Sequence, residues 1–211
     1  MIENIKWFKQ SGFLFDGTSN VYIDPWDIPA GYPKADIILI THAHADHFDI
    51  STIRNLAHKD TQIVAPHDVS IELKMEGCNV IKVGPEETQN ILGINIEVFP
   101  AYNLNKSYHP RNNNWVGYII DINGKRYYHA GDTDHIPEMS NIKCDVALLP
   151  IGGTYTMDVK EAVEAASVIN PKLAVPMHYG FVVGKKEDGD MFKQKSTVPV
   201  ELMLPIVSFE R

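Results

Sequence analysis

The chain has 211 residues, enough for one domain with a sizeable core, and its 44% hydrophobic and 22% charged residues are an ordinary globular mix. Lys and Arg number 19 against 27 Asp and Glu, a net charge of −8, which argues against a general nucleic-acid surface but not against a small anionic substrate held by bound cations. Cys78 and Cys144 lie far apart in no metal-type spacing, no apolar signal core opens the chain, and no run approaches the roughly 18 apolar residues of a membrane span, so buried thiols and a cytoplasmic location are expected.

Residues 5–8 and 13–15 read as short strands joined by a Ser11-Gly12 turn, and residues 20–24 as another, ended by Asp24-Pro25. Ile37-Ile38-Leu39-Ile40 is a short apolar run, the mark of a buried strand. Residues 49–58 carry Ile50, Ile53, Leu56 and Ala57 on one helical face. A strand at 62–65, a short helix at 68–76 stopped by Gly77, and a strand at 79–83 come next. This order of strands and helices suggests parallel pairing with helices packed outside. Residues 93–100 are a further strand, and Asn123-Gly124 is a strong hairpin turn between strands at 115–122 and 125–129. Residues 144–150 form a buried strand. Asp158, with Glu161 three residues on, opens the clearest helix, which Pro171 ends. Residues 173–177 are a strand ending at His178, 184–196 a charged surface loop or frayed helix, and 200–209 a closing strand.

The chemistry concentrates in Thr41-His42-Ala43-His44-Ala45-Asp46-His47, directly after the apolar strand. Imidazole and carboxylate are ligands of borderline divalent metals such as Zn²⁺. His42 and His44 lie two apart, so in extended backbone they point the same way and can grip one ion. Asp46 and His47 come after the chain has begun to turn, within reach of a second position. Further along, Ala130 and Gly131 allow a sharp turn before Asp132, and His178 stands at a strand end. His58, His67 and His129 read as ordinary histidines, and His135 as a residue of the cleft mouth.

His42-x-His44-x-Asp46-His47 after an apolar strand resembles the signature of the metallo-β-lactamase-fold hydrolases. The resemblance runs from Asn20 to about Gly180 and is closest to the short lactonase-like and phosphodiesterase-like branch. It implies an α/β fold, a four-layer αβ/βα sandwich with two mixed sheets face to face and helices outside, over one domain of residues 1–211. It also implies two divalent ions, zinc first, with manganese or iron as alternatives. His42, His44 and His109 would hold one ion; Asp46, His47 and His178 would hold the other, with Asp132 between them. Asp24 either orients a ligand or simply starts a turn.

The chain departs from the family where a His is usual, past the strand at 93–100. Asn103 stands there, and His109 comes six residues later, near enough to fold back. His109 is expected as the ligand, with Asn103 as the alternative ligand or a substrate contact. Tyr155 and His135 are expected beside the substrate.

The implied activity is hydrolysis by a metal-bound hydroxide, with Asp46 relaying a proton, on a small anionic lactone, ester or phosphodiester. An iron-dependent oxidoreductase of the same fold and a non-catalytic metal-binding regulator are the alternatives. The expected partner is a small-molecule substrate, with no nucleic acid and no membrane; self-association stays open.

Overall fold

The structure is a computed structural model and describes residues 1–75 and 79–209. Strands this short and apolar are stable only when both faces are covered, and they assemble into two six-stranded sheets. The first takes β1 (Ile5–Trp7), β2 (Phe13–Phe15), β3 (Val21–Ile23), β4 (Ile37–Leu39), β5 (Gln62–Ala65) and β6 (Val80–Lys82) in chain order. Its first three strands are antiparallel, and β3 to β6 are parallel. The second sheet takes β7 (Thr88–Ile91), β8 (Ile94–Pro100), β9 (Val116–Ile122), β10 (Lys125–His129), β11 (Val146–Pro150) and β12 (Leu173–Met177), again in chain order. Here β7 to β10 are antiparallel, and β10 to β12 parallel.

Side-chain alternation along the first sheet divides it between two cores. Trp7, Phe13, Phe15, Val21, Ile23 and Leu39 face the second sheet and bury against residues such as Val98, Tyr118, Tyr128 and Leu148. Phe8, Leu14, Tyr22, Ile38 and Ile40 face the other way, onto Ile53 and Leu56 of α1 (Ile50–Leu56) and Val69 and Leu73 of α2 (His67–Met75). On the far side, α3 (Val159–Ile169) packs its Ala162, Ala165, Ala166 and Ile169 stripe toward β11 and α4 (Glu187–Lys195). The molecule is the four-layer αβ/βα sandwich.

Local chemistry sets the helix ends. Asp49 caps α1 by accepting from Ser51 N at 2.9 Å. Asp158 and Glu161 form a reciprocal capping box at the start of α3, and Asn170, in the left-handed region, closes it. Asn123 and Gly124, at φ 54° and 71°, make the tight turn between β9 and β10.

Four elements differ from the sequence expectation. The strand β7 is an added edge strand; its polar Thr88-Gln89-Asn90 carries no apolar signal, and its turn into β8 uses Leu92 and Gly93 with positive φ. Residues 184–196 hold an ordered helix, α4, because Gly189 and Phe192 are buried. Residues 200–209 are not a strand: Val200 makes one isolated bridge to Ala174, and Pro205, which has no N–H, interrupts the stretch beyond it. The helix at 68–76 begins one residue earlier, at His67, and its expected stop at Gly77 lies outside the described residues, as does Cys78. Cys144, expected buried, is only partly so, and burial pushes its thiol up to about 12. Among the described residues no helix is long and apolar enough to cross a membrane.

Candidate metal centre

The site forms where strands end. β4 leads into the histidine stretch, β8 into the Asn103–His109 loop, β10 into Asp132 and β12 into His178. In parallel α/β sheets the crevice at the carboxyl ends of the strands is the place for a ligand. The two sheets are stitched together here: Tyr118 Oη donates to Ile40 O at 2.7 Å, and Val116 N donates to Thr41 O at 3.1 Å.

After β4 the chain turns at once. His47 N and Phe48 N both donate to His44 O, at 3.0 and 2.8 Å, which swings Asp46 and His47 round to the face His42 already occupies. Gly131, at φ +64°, makes the matching turn after β10; a Cβ there would come 2.7 Å from Val116 O. His178 also sits in the left-handed region, at φ 56°, with its N–H donated to Gln10 O at 2.9 Å.

These turns bring seven side chains into three overlapping groups whose donor atoms lie within 4.8 Å of one another. His42, His44 and His109 form one, Asp46, His47 and His178 another, and His42, His47 and Asp132 the group between. His42 Nε2 is 3.1 Å from His44 Nδ1. Asp132 Oδ2 is 3.3 Å from His109 Nε2 and 3.1 Å from His178 Nε2, while its Oδ1 is 3.4 Å from His47 Nε2. Asp46 Oδ2 lies 3.6 Å from His178 Nε2 and 3.7 Å from His47 Nε2. Asp132 thus reaches toward both outer groups.

Neighbouring residues aim the rings. Asp24, fully buried, accepts from Thr41 N at 2.8 Å, from Thr41 Oγ1 at 2.7 Å, and from His47 Nδ1 at 2.7 Å. That bond keeps the His47 proton on Nδ1 and turns Nε2 toward Asp132. The Thr41 hydroxyl also stands 2.9 Å from His42 Nδ1. His109 is held by Asn103, whose Oδ1 accepts from His109 N at 2.9 Å and faces His109 Nδ1 at 3.1 Å. The Asn103 amide donates in turn to Asp134 Oδ1 and Tyr155 O, each at 2.9 Å. Both ends of that amide are used inside the protein, where they hold the His109 ring and the loop around it. Tyr155 contributes its carbonyl, 3.2 Å from His109 Nδ1, and its ring lies edge-on to Tyr108. His135 is partly exposed and belongs to none of the three groups. Trp115 closes the apolar side of the first group, its ring centroid 5.0 Å from both His42 and His44 and 5.6 Å from His109.

One residue escaped the sequence reading. Gln10 lies in the turn between β1 and β2, at φ 50° and fully buried. Its Nε2 donates to Asp46 Oδ2 at 2.8 Å and stands 3.0 Å from His178 Nε2. The only hint in the sequence was a long polar side chain between two largely apolar strands.

The electrostatics divide the site. Burial, reinforced by neighbouring histidines, drives His42 and His44 below the usual range, so both stay neutral. Burial would raise Asp46 and Asp132, but the His47 and His178 side chains outweigh it and hold both carboxyls well below normal. The same carboxylates, Asp132 foremost, overcome burial at His47 and His178 and raise them, His178 to about 9. His47 Nε2, His109 Nε2 and Asp132 Oδ1 are buried with no hydrogen-bond partner among the described residues. Each such atom costs about 1–3 kcal/mol when left alone. Orphaned imidazole and carboxylate atoms converging on one space are what a divalent cation satisfies, so the residues fit a metal centre.

The chain resembles known proteins over nearly its whole length. The family model described as "Beta-lactamase superfamily domain" matches residues 4–178. A UPF0173 metal-dependent hydrolase of Thermoplasma acidophilum is 37% identical over 220 residues, which cover 97% of this chain and 96% of the relative. Among solved structures, the metallo hydrolase Igni18 of Ignicoccus hospitalis is 29% identical with a TM-score of 0.77, over 95% of this chain and 94% of that one. CmlA, a diiron β-hydroxylase of Streptomyces venezuelae, shares the fold at 14% identity and a TM-score of 0.76, over 94% of this chain and 52% of its own. The histidine motif, the sandwich and these relatives converge: the chain belongs to the metallo-β-lactamase superfamily and is a metal-dependent hydrolase.

Proposed function

We propose that the protein hydrolyses a small anionic lactone, ester or phosphodiester with two divalent ions, zinc first and manganese or iron as alternatives. The observation that carries this reading is the overlap of the three donor groups, with Asp132 in the middle one and its Oδ2 3.3 Å from His109 Nε2 and 3.1 Å from His178 Nε2 of the outer two. His42, His44 and His109 would hold the first ion. Asp46, His47 and His178 would hold the second, and Asp132 would bridge. Ions bound there supply a hydroxide at neutral pH and positive charge for the oxygen that turns negative as the substrate's bond breaks.

The chain's own residues shape the rest. The Asp46 side chain is 22% exposed and His44 is partly exposed, whereas the other five are 4% exposed or less, so substrate approaches past Asp46 and His44. Asp46, on that open side, would take a proton and pass it to the leaving group. With a net charge of −8 over the whole chain, a cationic centre is the feature of this molecule that attracts an anion. A cytoplasmic setting and a nucleic-acid-free substrate belong to the same proposal.

The test is a screen of metal-loaded protein on lactones, aryl esters and bis-aryl phosphodiesters, beside elemental analysis. Turnover of one class with two ions per chain supports the reading. Two ions with no turnover on any of these classes refutes the proposed substrates, and two irons with oxygen-dependent turnover shifts the reading to redox chemistry.

A further inference from the structure

The seven donor side chains leave Gln10 unexplained. It is fully buried, and only half of its amide is satisfied: Nε2 donates to Asp46, whereas Oε1 is buried without a hydrogen-bond partner among the described residues. An unpaired amide oxygen in a dry site is costly, and a side chain free to move would turn it outward. Gln10 cannot withdraw. Its carbonyl accepts from Trp7 Nε1 and from His178 N, each at 2.9 Å, which ties its backbone to both β1 and the end of β12, 168 residues away.

The head of the side chain lies among ligand atoms. It is 2.8 Å from Asp46 Oδ2 and 3.0 Å from His178 Nε2, two of the three donors of the second group. Neighbouring ligands at right angles about an ion with bonds of about 2.1 Å lie about 3.0 Å apart, whereas tetrahedral neighbours lie about 3.4 Å apart. The amide head therefore stands at a ligand's spacing from both. In the arrangement described, its N–H faces Asp46. A half-turn about the last bond of the side chain exchanges N–H₂ for the oxygen, which accepts nothing where it now stands. An amide oxygen facing the Asp46 carboxylate is repelled unless a cation lies between them.

We propose that Gln10 is a ligand of the second ion through its carboxamide oxygen, turning over when the ion arrives. This rests on the two-ion reading above. An amide oxygen added to carboxylate and imidazole favours a six-coordinate ion such as Mn²⁺ in that position over tetrahedral zinc.

The test titrates chelator-stripped protein with Mn²⁺ by calorimetry, in the unaltered chain, Gln10→Asn and Gln10→Glu, after thermal melts show each folded. Asn tolerates the left-handed backbone of position 10 and is one CH₂ too short to reach. Glu keeps the length and offers only oxygens. A ligand predicts that Gln10→Asn weakens the second ion by about tenfold or more while Gln10→Glu binds it at least as tightly as the unaltered chain, since affinity follows ligand number and charge. Weaker binding of the second ion by Gln10→Glu than by the unaltered chain overturns the proposal, and so does a Gln10→Asn affinity equal to that of the unaltered chain. Tighter binding in Gln10→Asn overturns it too, since the amide would then be a competitor of the ion. Where Gln10→Asn does not fold, the sign of the Gln10→Glu change decides alone. An unaltered chain that binds fewer than two ions refutes the two-ion reading itself, and the assignment with it.

Discussion

Replacing Asp24 by Asn tests how far the site depends on a residue that touches no metal. Asp24 accepts three bonds in a fully buried place, two from Thr41 and one from His47 Nδ1. Asn has the same shape and suits the φ of 46° at this position, so the backbone is not strained. It offers one oxygen where Asp has two. If the amide nitrogen faces Thr41 N, two donors meet; if it faces His47, Nδ1 must accept, and the proton moves to Nε2, the atom aimed into the site. One buried bond is lost either way, at about 1–3 kcal/mol. That is a visible share of a total stability of about 5–15 kcal/mol. The metal is hit harder. Loss of the partner that fixes a ligating histidine typically costs about 10–100-fold in affinity, here on the ion held by His47. Calorimetric titration of the stripped variant, beside its thermal melt, reads both. Unchanged affinity for both ions, with or without a lower melting temperature, would refute the claim that Asp24 sets the His47 tautomer.

The same geometry sets three further outcomes. His109→Ala should lose about half of the bound metal by elemental analysis, and Asn103→Ala should weaken the same ion less than His109→Ala does, since it frees the His109 ring without removing it; equal metal content in all three proteins would contradict the first group. Asp132→Asn should weaken both ions and cut turnover by at least about 100-fold, and retention of two ions at the normal rate would show Asp132 to be a turn residue. Metal loading should depend on pH in one direction: burial opposes a proton on His178, but Asp132 raises it to about 9, so the ion must displace that proton, and affinity for the second ion should climb as pH rises from 6.5 toward 9 and then level off. The same raised group stabilises the metal-free fold below about 6.5, its value outside the fold, and that contribution fades as pH rises through about 9. Loading that is flat across this range would show the proton is not there.

Much of the fold was readable because the local signals agreed with one another. The Ile37–Leu39 strand ran straight into three histidines, Asp158 and Glu161 announced α3, and Asn123-Gly124 announced its hairpin. What was not readable depends on long-range meeting. β7 carries no apolar pattern and is a strand because β8 offers it an edge. α4 looks like a charged loop until Phe192 finds its pocket beside α3. Within the site, spacing alone could set His42 beside His44. It could not say that His109 folds back six residues to be gripped by Asn103, nor that Tyr155 lends its carbonyl rather than its ring. Gln10 was the hardest, since nothing near residue 10 foretells that its carbonyl and its amide both end against His178.

The central claim is that seven side chains of this chain hold two ions with Asp132 between them. Anomalous diffraction from crystals of the metal-loaded protein, recorded on both sides of the metal's absorption edge, tests it most directly. The account predicts two peaks, one bounded by His42, His44 and His109 and one by Asp46, His47 and His178, each within about 2.5 Å of an Asp132 oxygen. A single peak, or two peaks with Asp132 bound to neither or to one alone, would contradict it.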